Sequence, residues 1–127
     1  MWSRLETHPI SIKRVYVKPV HEDGMRILVD RLWPRGLSKE AAAIDHWYAE
    51  VAPSAELRKW FGHRPERFAE FAARYRTELA TDPPHLQHLG NLGEFARQSR
   101  VTLVYAAKDE IHNHAVVLLA VLRKLLN

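Results

Sequence analysis

The chain has 127 residues and a mass of 14.8 kDa, and we expect one domain over 1–127, since domains commonly comprise roughly 100–150 residues. Its hydrophobic content of 46% and charged content of 27% are those of a globular protein and exclude a disordered or fibrous chain. Nineteen basic against fifteen acidic residues give a net charge of +4, and thirteen of the basic residues are arginines, whose planar guanidinium suits carboxylates and phosphates.

The first third of the sequence predicts two strands and a shaped loop. Residues 11–17 are rich in β-formers, and the short apolar run 26–29 ends sharply at Asp30. The segment 31–38 contains a proline and a glycine close together, which neither a helix nor a central strand accommodates. Ser38 at its end is a suitable N-cap for a short helix.

The middle of the sequence predicts two helices after an ambiguous stretch, 44–51, whose pattern fits a strand or a helix. Ser54 is a suitable cap for a helix that closes at Gly62. Pro65 then opens a longer helix with aromatic and aliphatic residues at helical spacing, and 82–84, Asp-Pro-Pro, is expected to break the chain.

The last third predicts a helix, a strand and a final helix. Leucines over 86–96 have helical spacing, although two glycines weaken it. The nearly continuous apolar run 101–107 is typical of a strand buried on both faces of a parallel sheet. Asp109 is expected to cap a helix over 110–126. This order predicts an α/β fold, a small open and mainly parallel sheet flanked by helices in three layers, Rossmann-like in outline.

The chain lacks cysteine, which excludes disulfides, thiolate zinc sites and cysteine nucleophiles. The opening Met1–Arg4 run carries no apolar leader, and no apolar stretch reaches the roughly 20 residues of a membrane helix. We therefore expect a cytoplasmic protein with no membrane partner. Glycine-rich phosphate loops, dinucleotide fingerprints and nucleophile elbows are absent, so no cofactor is predicted.

Polar residues follow the two apolar strands, and ligands of open α/β sheets bind outside the carboxyl ends of strands. Arg31 and Arg35 offer two guanidiniums for an anion, and Trp33 between them offers a flat ring or, alternatively, a core plug beneath the loop. The residues expected to meet here are Asp30, Arg31, Arg35, Lys108, Asp109, His112 and His114.

The apolar strand 101–107 leads into the start of a helix, where free backbone N–H groups favour a bound anion. Asp109, as the expected cap of that helix, would compete with the anion for these N–H groups. Lys108, His112 and Asn113 are candidates for polar contacts there. Arg58 is a further candidate, because it follows Ala-Pro-Ser and precedes an aromatic anchor; a plain surface arginine is the alternative. His112 and His114 lie two apart on a helix and point to different sides, so no metal site is predicted.

Motifs along most of the chain resemble the DUF488 family, and within it a small YeaO-like branch. The resemblance covers the chain from about residue 11 and rests on the runs 29–39 (VDRLWPRGLSK), 52–61 (APSAELRKWF), 71–79 (FAARYRTEL), 102–109 (TLVYAAKD) and 112–115 (HNHA). It implies a small α/β domain without an established activity. Other members of the wider family end the late strand in a Cys-His-Arg-like motif, whereas this chain has His112-Asn113-His114, so a thiol mechanism is not available to it.

Three functional hypotheses follow from these residues. The leading one is a binding protein whose Arg31, Arg35 and Arg58 hold an anionic, phosphate-bearing ligand, a nucleotide or a nucleic-acid end, in a basic pocket. The second is an acid–base or metal-assisted hydrolase that uses Asp30 and Asp109, with His112 as a further candidate. The third is a non-catalytic interaction module that uses the basic helical surface over 58–76. The sequence leaves the oligomeric state open.

Overall fold

The structure, a computed structural model, describes residues 8–126; the Met1–Arg4 run lies outside these residues. The strands of this range are Ile10–Arg14 (β1), Met25–Leu28 (β2), His46–Trp47 (β3) and Val101–Tyr105 (β4). Its α-helices are Lys39–Ala42 (α1), Ala55–Phe61 (α2), Phe68–Thr81 (α3), Pro83–Gln98 (α4) and His114–Leu126 (α5). Short 3₁₀ turns lie at His21–Asp23, Ala49–Val51 and Pro65–Arg67.

The four strands form one parallel sheet in the order β1-β4-β2-β3. Ile27 pairs with Leu103 and Leu28 with Val104, so β2 and β4 are neighbours. β4 is buried along its whole length, as the continuous apolar run predicts. The carboxyl ends of these two strands therefore meet at one edge of the sheet.

The two faces of the sheet bury cores of different size. Ile27, Val29 and Leu103 face the main core, which α2, α3, α4 and α5 cover. Leu28 and Val104 face the opposite side and pack with Val15, Ala42 of α1, and the loop after β2. The α/β prediction, helices on either side of a small parallel sheet, is confirmed.

Several predicted boundaries are wrong by a few residues. β1 ends at Arg14 rather than Val17, β2 at Leu28 rather than Val29, and β4 at Tyr105 rather than Ala107. The ambiguous stretch 44–51 contains both a two-residue strand and a 3₁₀ turn. The caps Ser38 and Ser54 are confirmed, because each side chain accepts a hydrogen bond from the backbone three residues on.

Two helix starts differ from the prediction. The run 82–84 ends α3 at Thr81 as predicted, with Asp82 in an extended conformation. Pro83 and Pro84 also open α4, with Asp82 as its N-cap and before the predicted start at residue 86, because the first turn of a helix needs no proline N–H. α5 begins at His114 and not at 110. Its cap is Asn113, whose Oδ1 accepts from the N–H of Val116 at 3.1 Å, so Asp109 is free to close the turn before the helix.

Candidate functional site

A cleft of about 900 Å³ lies at the carboxyl ends of β2 and β4. Three segments supply most of its lining: the loop that follows β2, the segment that leads into α2 together with α2 itself, and the residues between β4 and α5. Tyr16, His63, Phe71 of α3 and His114 of α5 complete it. The charged side chains that line the cleft are Asp30, Arg31, Arg35, Arg58, Lys59, Lys108 and Asp109. Five of these seven are basic, so the lining carries a surplus of positive charge.

Backbone carbonyls hold the two innermost arginines. Nη2 of Arg31 donates to the carbonyl of Ala52 at 3.2 Å and lies 3.5 Å from the carbonyl of Pro53. Nε of Arg58 donates to the same Pro53 carbonyl at 3.2 Å. Since both guanidiniums reach one carbonyl oxygen, they lie side by side and a single anion can bridge them.

No carboxylate of residues 8–126 forms an ion pair within 4.0 Å with Arg31, Arg35, Arg58, Lys59 or Lys108. A carbonyl fixes the direction of a guanidinium but carries no net charge. The positive charge of Arg31 and Arg58 therefore stays uncompensated by a direct partner, and both side chains are only half-buried.

Asp30 joins the ends of the two central strands. Its Oδ2 accepts from the N–H of Ala106 at 2.9 Å, just beyond β4. Its Oδ1 is enclosed and lies 3.2 Å from Nε2 of His114, which is also 2.9 Å from the carbonyl of Val29. Among residues 8–126, Asp30 therefore contacts a backbone amide and a histidine and forms no ion pair with an arginine.

Asp109 is committed to the turn before α5. Its Oδ1 accepts from the N–H groups of Ile111 and His112, both at 2.9 Å, and its Oδ2 lies 2.9 Å from Nδ1 of His112. The hydrogen bonds from these two amides, and then the one from the His112 ring, lower the pKa of Asp109 to about 2. Such a carboxyl stays ionised near neutral pH and is a poor proton donor.

The loop after β2 is fixed from both sides. The Trp33 indole packs on the smaller core and donates to the carbonyl of Leu37 at 2.7 Å. Tyr16 donates its hydroxyl to the carbonyl of Arg35 at 2.8 Å. Gly36 has a φ of 74°, a conformation that glycine adopts without strain. The loop thus holds Arg35 exposed at the rim while Trp33 serves mainly as the expected core plug.

The structure brings most of the predicted site residues together. Asp30, Arg31, Trp33, Arg35, Arg58, Lys108, Asp109 and Asn113 all line the cleft, as does His114. His112 does not: its ring packs edge-on against Phe68, with 5.3 Å between ring centroids. Lys59 and His63 were not predicted, and neither was the role of the Ala52 and Pro53 carbonyls, since a carbonyl leaves no trace in a side-chain pattern.

No group of three or more histidine, aspartate or glutamate side chains within residues 8–126 is arranged to hold a metal ion. In the same range, none of the helices combines the length and apolar character required to span a bilayer.

The family comparison covers the cleft as well as the core. A family model described as the inactive DUF488-N3 subclade matches residues 9–127. The uncharacterised protein YeaO of Escherichia coli is 46% identical over 116 residues, which are 91% of this chain and 98% of YeaO. An uncharacterised protein of Mycobacterium tuberculosis is 42% identical over 109 residues, 86% of this chain and 89% of that protein. No solved structure gives a significant match.

Proposed function

The chain belongs to the DUF488 family, in its YeaO-like branch, and on that premise we propose that it binds an anionic, phosphate-bearing ligand in the cleft beside Arg31 and Arg58. The ligand class is a nucleotide or the phosphorylated end of a nucleic acid. The proposal includes a cytoplasmic location, which the cysteine-free composition permits.

One observation carries the proposal: two neighbouring guanidiniums are oriented by backbone carbonyls and by no carboxylate of residues 8–126. An arginine whose charge is not matched by a direct partner gains most from a bound anion, and a phosphate accepts hydrogen bonds from two guanidiniums at once. The cleft volume of about 900 Å³ is also within the range of small-molecule sites, which is roughly 300–1,000 Å³.

The remaining residues have assigned roles in this proposal. Arg35 and Lys108 lie at the exposed rim and attract the anion, with Asn113 as a polar contact at the start of α5. Trp33 lines the cleft and also packs on the smaller core, so only part of its side chain is available to a ligand. His112 acts through Asp109, whose carboxylate it contacts at 2.9 Å, rather than by touching the ligand.

Binding without turnover is favoured over hydrolysis. The hydrolase hypothesis uses Asp30 and Asp109 together, and its acid–base form needs Asp109 to exchange a proton with substrate, whereas Asp109 accepts three hydrogen bonds and has a pKa of about 2. The family model that matches the chain is described as an inactive subclade, which favours the same choice. The interaction-module hypothesis relies on the basic residues of 58–76. Two of these, Arg67 and Arg74, lie over the ring of Trp60, at 5.2 and 4.5 Å from its centroid, and are therefore engaged within the protein.

A ligand panel tests the proposal by thermal shift and calorimetry. Inorganic phosphate, a nucleoside monophosphate and a 5′-phosphorylated oligonucleotide are compared with the unphosphorylated nucleoside and oligonucleotide. We expect stabilisation by the phosphorylated compounds only, weakened in Arg35→Ala. If none of the phosphorylated compounds stabilises the protein, the proposal is wrong.

Salt separates the two ligand sources. Binding along a nucleic-acid chain releases many counterions and weakens steeply as salt rises, whereas a nucleotide in a cleft depends on salt less. We expect the shallow dependence, because Arg31, Arg35, Arg58, Lys59 and Lys108 all line the same cleft.

A further inference from the structure

The segment Val51–Ser54, between β3 and α2, is anchored by α3 and α4. Tyr75 of α3 donates its hydroxyl to the carbonyl of Val51 at 2.6 Å. His85 of α4 lies with Nε2 2.7 Å from the carbonyl of Ala52. Glu78 accepts from both the N–H and the hydroxyl of Ser54. The segment that holds the cleft arginines is thus itself fixed from behind.

The carbonyl group of Ala52 contacts both an anchoring residue, His85, and a cleft arginine, Arg31. Its carbonyl oxygen, which has two lone pairs, accepts from His85 on one side and from Nη2 of Arg31 on the other. We propose that His85 is a positioning residue for anion binding: it fixes the Ala52 carbonyl in the direction that aims the Arg31 guanidinium into the cleft. This inference rests on the proposed function of the cleft.

The surroundings of His85 suit this role. The residue is 6% exposed, and its Nδ1 lies 2.5 Å from Oδ2 of Asp82, the N-cap of α4. The hydrogen bond from His85 is the main reason that the pKa of Asp82 is lowered, and the charge of Arg31 adds to the effect. Asp82 therefore contacts the ring nitrogen opposite the one that faces Ala52 and restrains the orientation of the ring.

Asparagine and glutamine at position 85 separate the two hydrogen bonds of the ring. A glutamine amide reaches the position of Nε2 and retains a donor for Ala52, whereas an asparagine amide reaches only the position of Nδ1 and loses it. Both substitutions are polar and remove the ring, and each retains one of its two contacts: His85→Asn the contact with Asp82, and His85→Gln the contact with the Ala52 carbonyl.

Tyr75→Phe provides a matched control within the same segment. It removes a buried hydrogen bond to the adjacent carbonyl of Val51, to which no arginine of residues 8–126 donates. A general loosening of Val51–Ser54 would weaken anion binding in Tyr75→Phe as much as in His85→Asn. A specific role of His85 leaves Tyr75→Phe with the affinity of the unsubstituted protein.

The experiment is a titration of the full chain with sulfate, which stays dianionic over the working pH range, followed by ¹⁵N NMR of the arginine Nε–H groups. We expect His85→Asn to weaken sulfate binding about threefold to tenfold, as for the loss of one hydrogen bond. His85→Gln should restore most of the affinity. Unchanged binding in His85→Asn, or an equal loss in Tyr75→Phe, overturns the proposal.

A second measurement keeps the inference separate from the proposed function. In the free protein, the order parameter of the Arg31 side chain should fall in His85→Asn and recover in His85→Gln. If sulfate binds neither to the unsubstituted protein nor to any variant, the proposed anion function of the cleft is wrong. The order parameter of the Arg31 side chain still decides in that case whether His85 positions Arg31. An Arg31 side chain equally ordered in both variants contradicts the inference.

Discussion

Arginine is used in two opposite ways at two places along this sheet. Beneath α1, Arg26 is 4% exposed at its side chain and pairs with the Asp23 carboxylate at 2.8 Å, which Lys13 also contacts at 3.0 Å. In the cleft, Arg31 and Arg58 are half-buried and donate to backbone carbonyls. We call the first group, Lys13, Asp23 and Arg26, the buried cluster.

Arg26 also donates to a backbone carbonyl, that of Ala42, at 3.1 and 2.8 Å, so the difference between the two places is the additional carboxylate partner of Arg26. In the buried cluster the Asp23 carboxylate neutralises positive charge. Burial alone would raise the pKa of Asp23, but the hydrogen bonds from Lys13, Val20 and Arg26 outweigh the effect of burial, so the pKa is lowered overall. In the cleft, carbonyls give direction without charge. The buried cluster is therefore expected to act on stability and the cleft on binding.

The largest effect is expected from Asp23→Ala. The substitution leaves the Arg26 guanidinium and the Lys13 ammonium without their shared partner, and breaking a buried ion pair in this way costs about 3–5 kcal/mol of unfolding free energy. Chemical denaturation measures the loss. Anion affinity of the folded fraction should stay unchanged; a marked drop in affinity would show that the two regions are not separate.

The cleft should show the reverse pattern. Arg31→Gln and Arg58→Gln each remove a guanidinium that we propose to contact the anion, and a charged hydrogen bond is worth about tenfold to a hundredfold in affinity. The unfolding free energy should change by less than about 1 kcal/mol, because no carboxylate loses its partner. Calorimetry and denaturation on the same samples measure both quantities.

Arg74→Gln is the control for charge alone. Arg74 is exposed, pairs with Glu70 and lies over Trp60, outside the cleft. Its removal lowers the net charge of the protein by the same amount as the cleft substitutions. If it weakens anion binding as much as Arg58→Gln, then general electrostatic attraction and not the cleft explains binding.

The cleft was largely predictable from sequence because parallel strands deliver their carboxyl ends to one edge. Asp30 and Arg31 follow β2 within three residues, and Lys108 and Asp109 follow β4 within four, so pairing of the two strands brings them together. The sequence also predicted Ser54 as an N-cap, and this cap fixes the start of α2, the helix that carries Arg58.

The features that the sequence did not reveal depend on backbone groups or on competing local signals. His85 acts through a carbonyl 33 residues away, and every residue has a carbonyl. Pro83 is compatible with the end of one helix and with the start of the next, and both hold here, so the proline alone did not place the start of α4. Asp109 and Asn113 are both good caps, four residues apart, so the start of α5 depended on which one faced the helix.

Trp33→Phe tests whether Trp33 contributes to the smaller core only or also to ligand binding in the cleft. The substitution keeps an aromatic ring against the smaller core but removes the indole N–H that donates to Leu37. We expect a loss of about 1 kcal/mol in unfolding free energy, the usual value of one hydrogen bond. Anion affinity should be unchanged, and a loss of affinity beyond threefold would assign Trp33 a direct contact with the ligand.

Asp109→Asn should produce the smallest effect, visible only as a change with pH. The pKa of Asp109 is about 2, below the value of 3.8 for a free carboxyl, so the folded protein binds this proton less tightly than the unfolded chain. The stabilisation from the charged carboxylate is therefore complete above about pH 4 and is lost as the pH falls toward 2. Urea unfolding between pH 5 and pH 2 should show a shallower decline of the unfolding free energy in the asparagine variant.

Glu110→Gln is the control for this prediction. Glu110 is an exposed neighbour of Asp109 and forms no hydrogen bond among residues 8–126, so the glutamine variant should retain the steeper decline. An equal slope in all three proteins would mean that the charge of Asp109 does not stabilise the turn before α5.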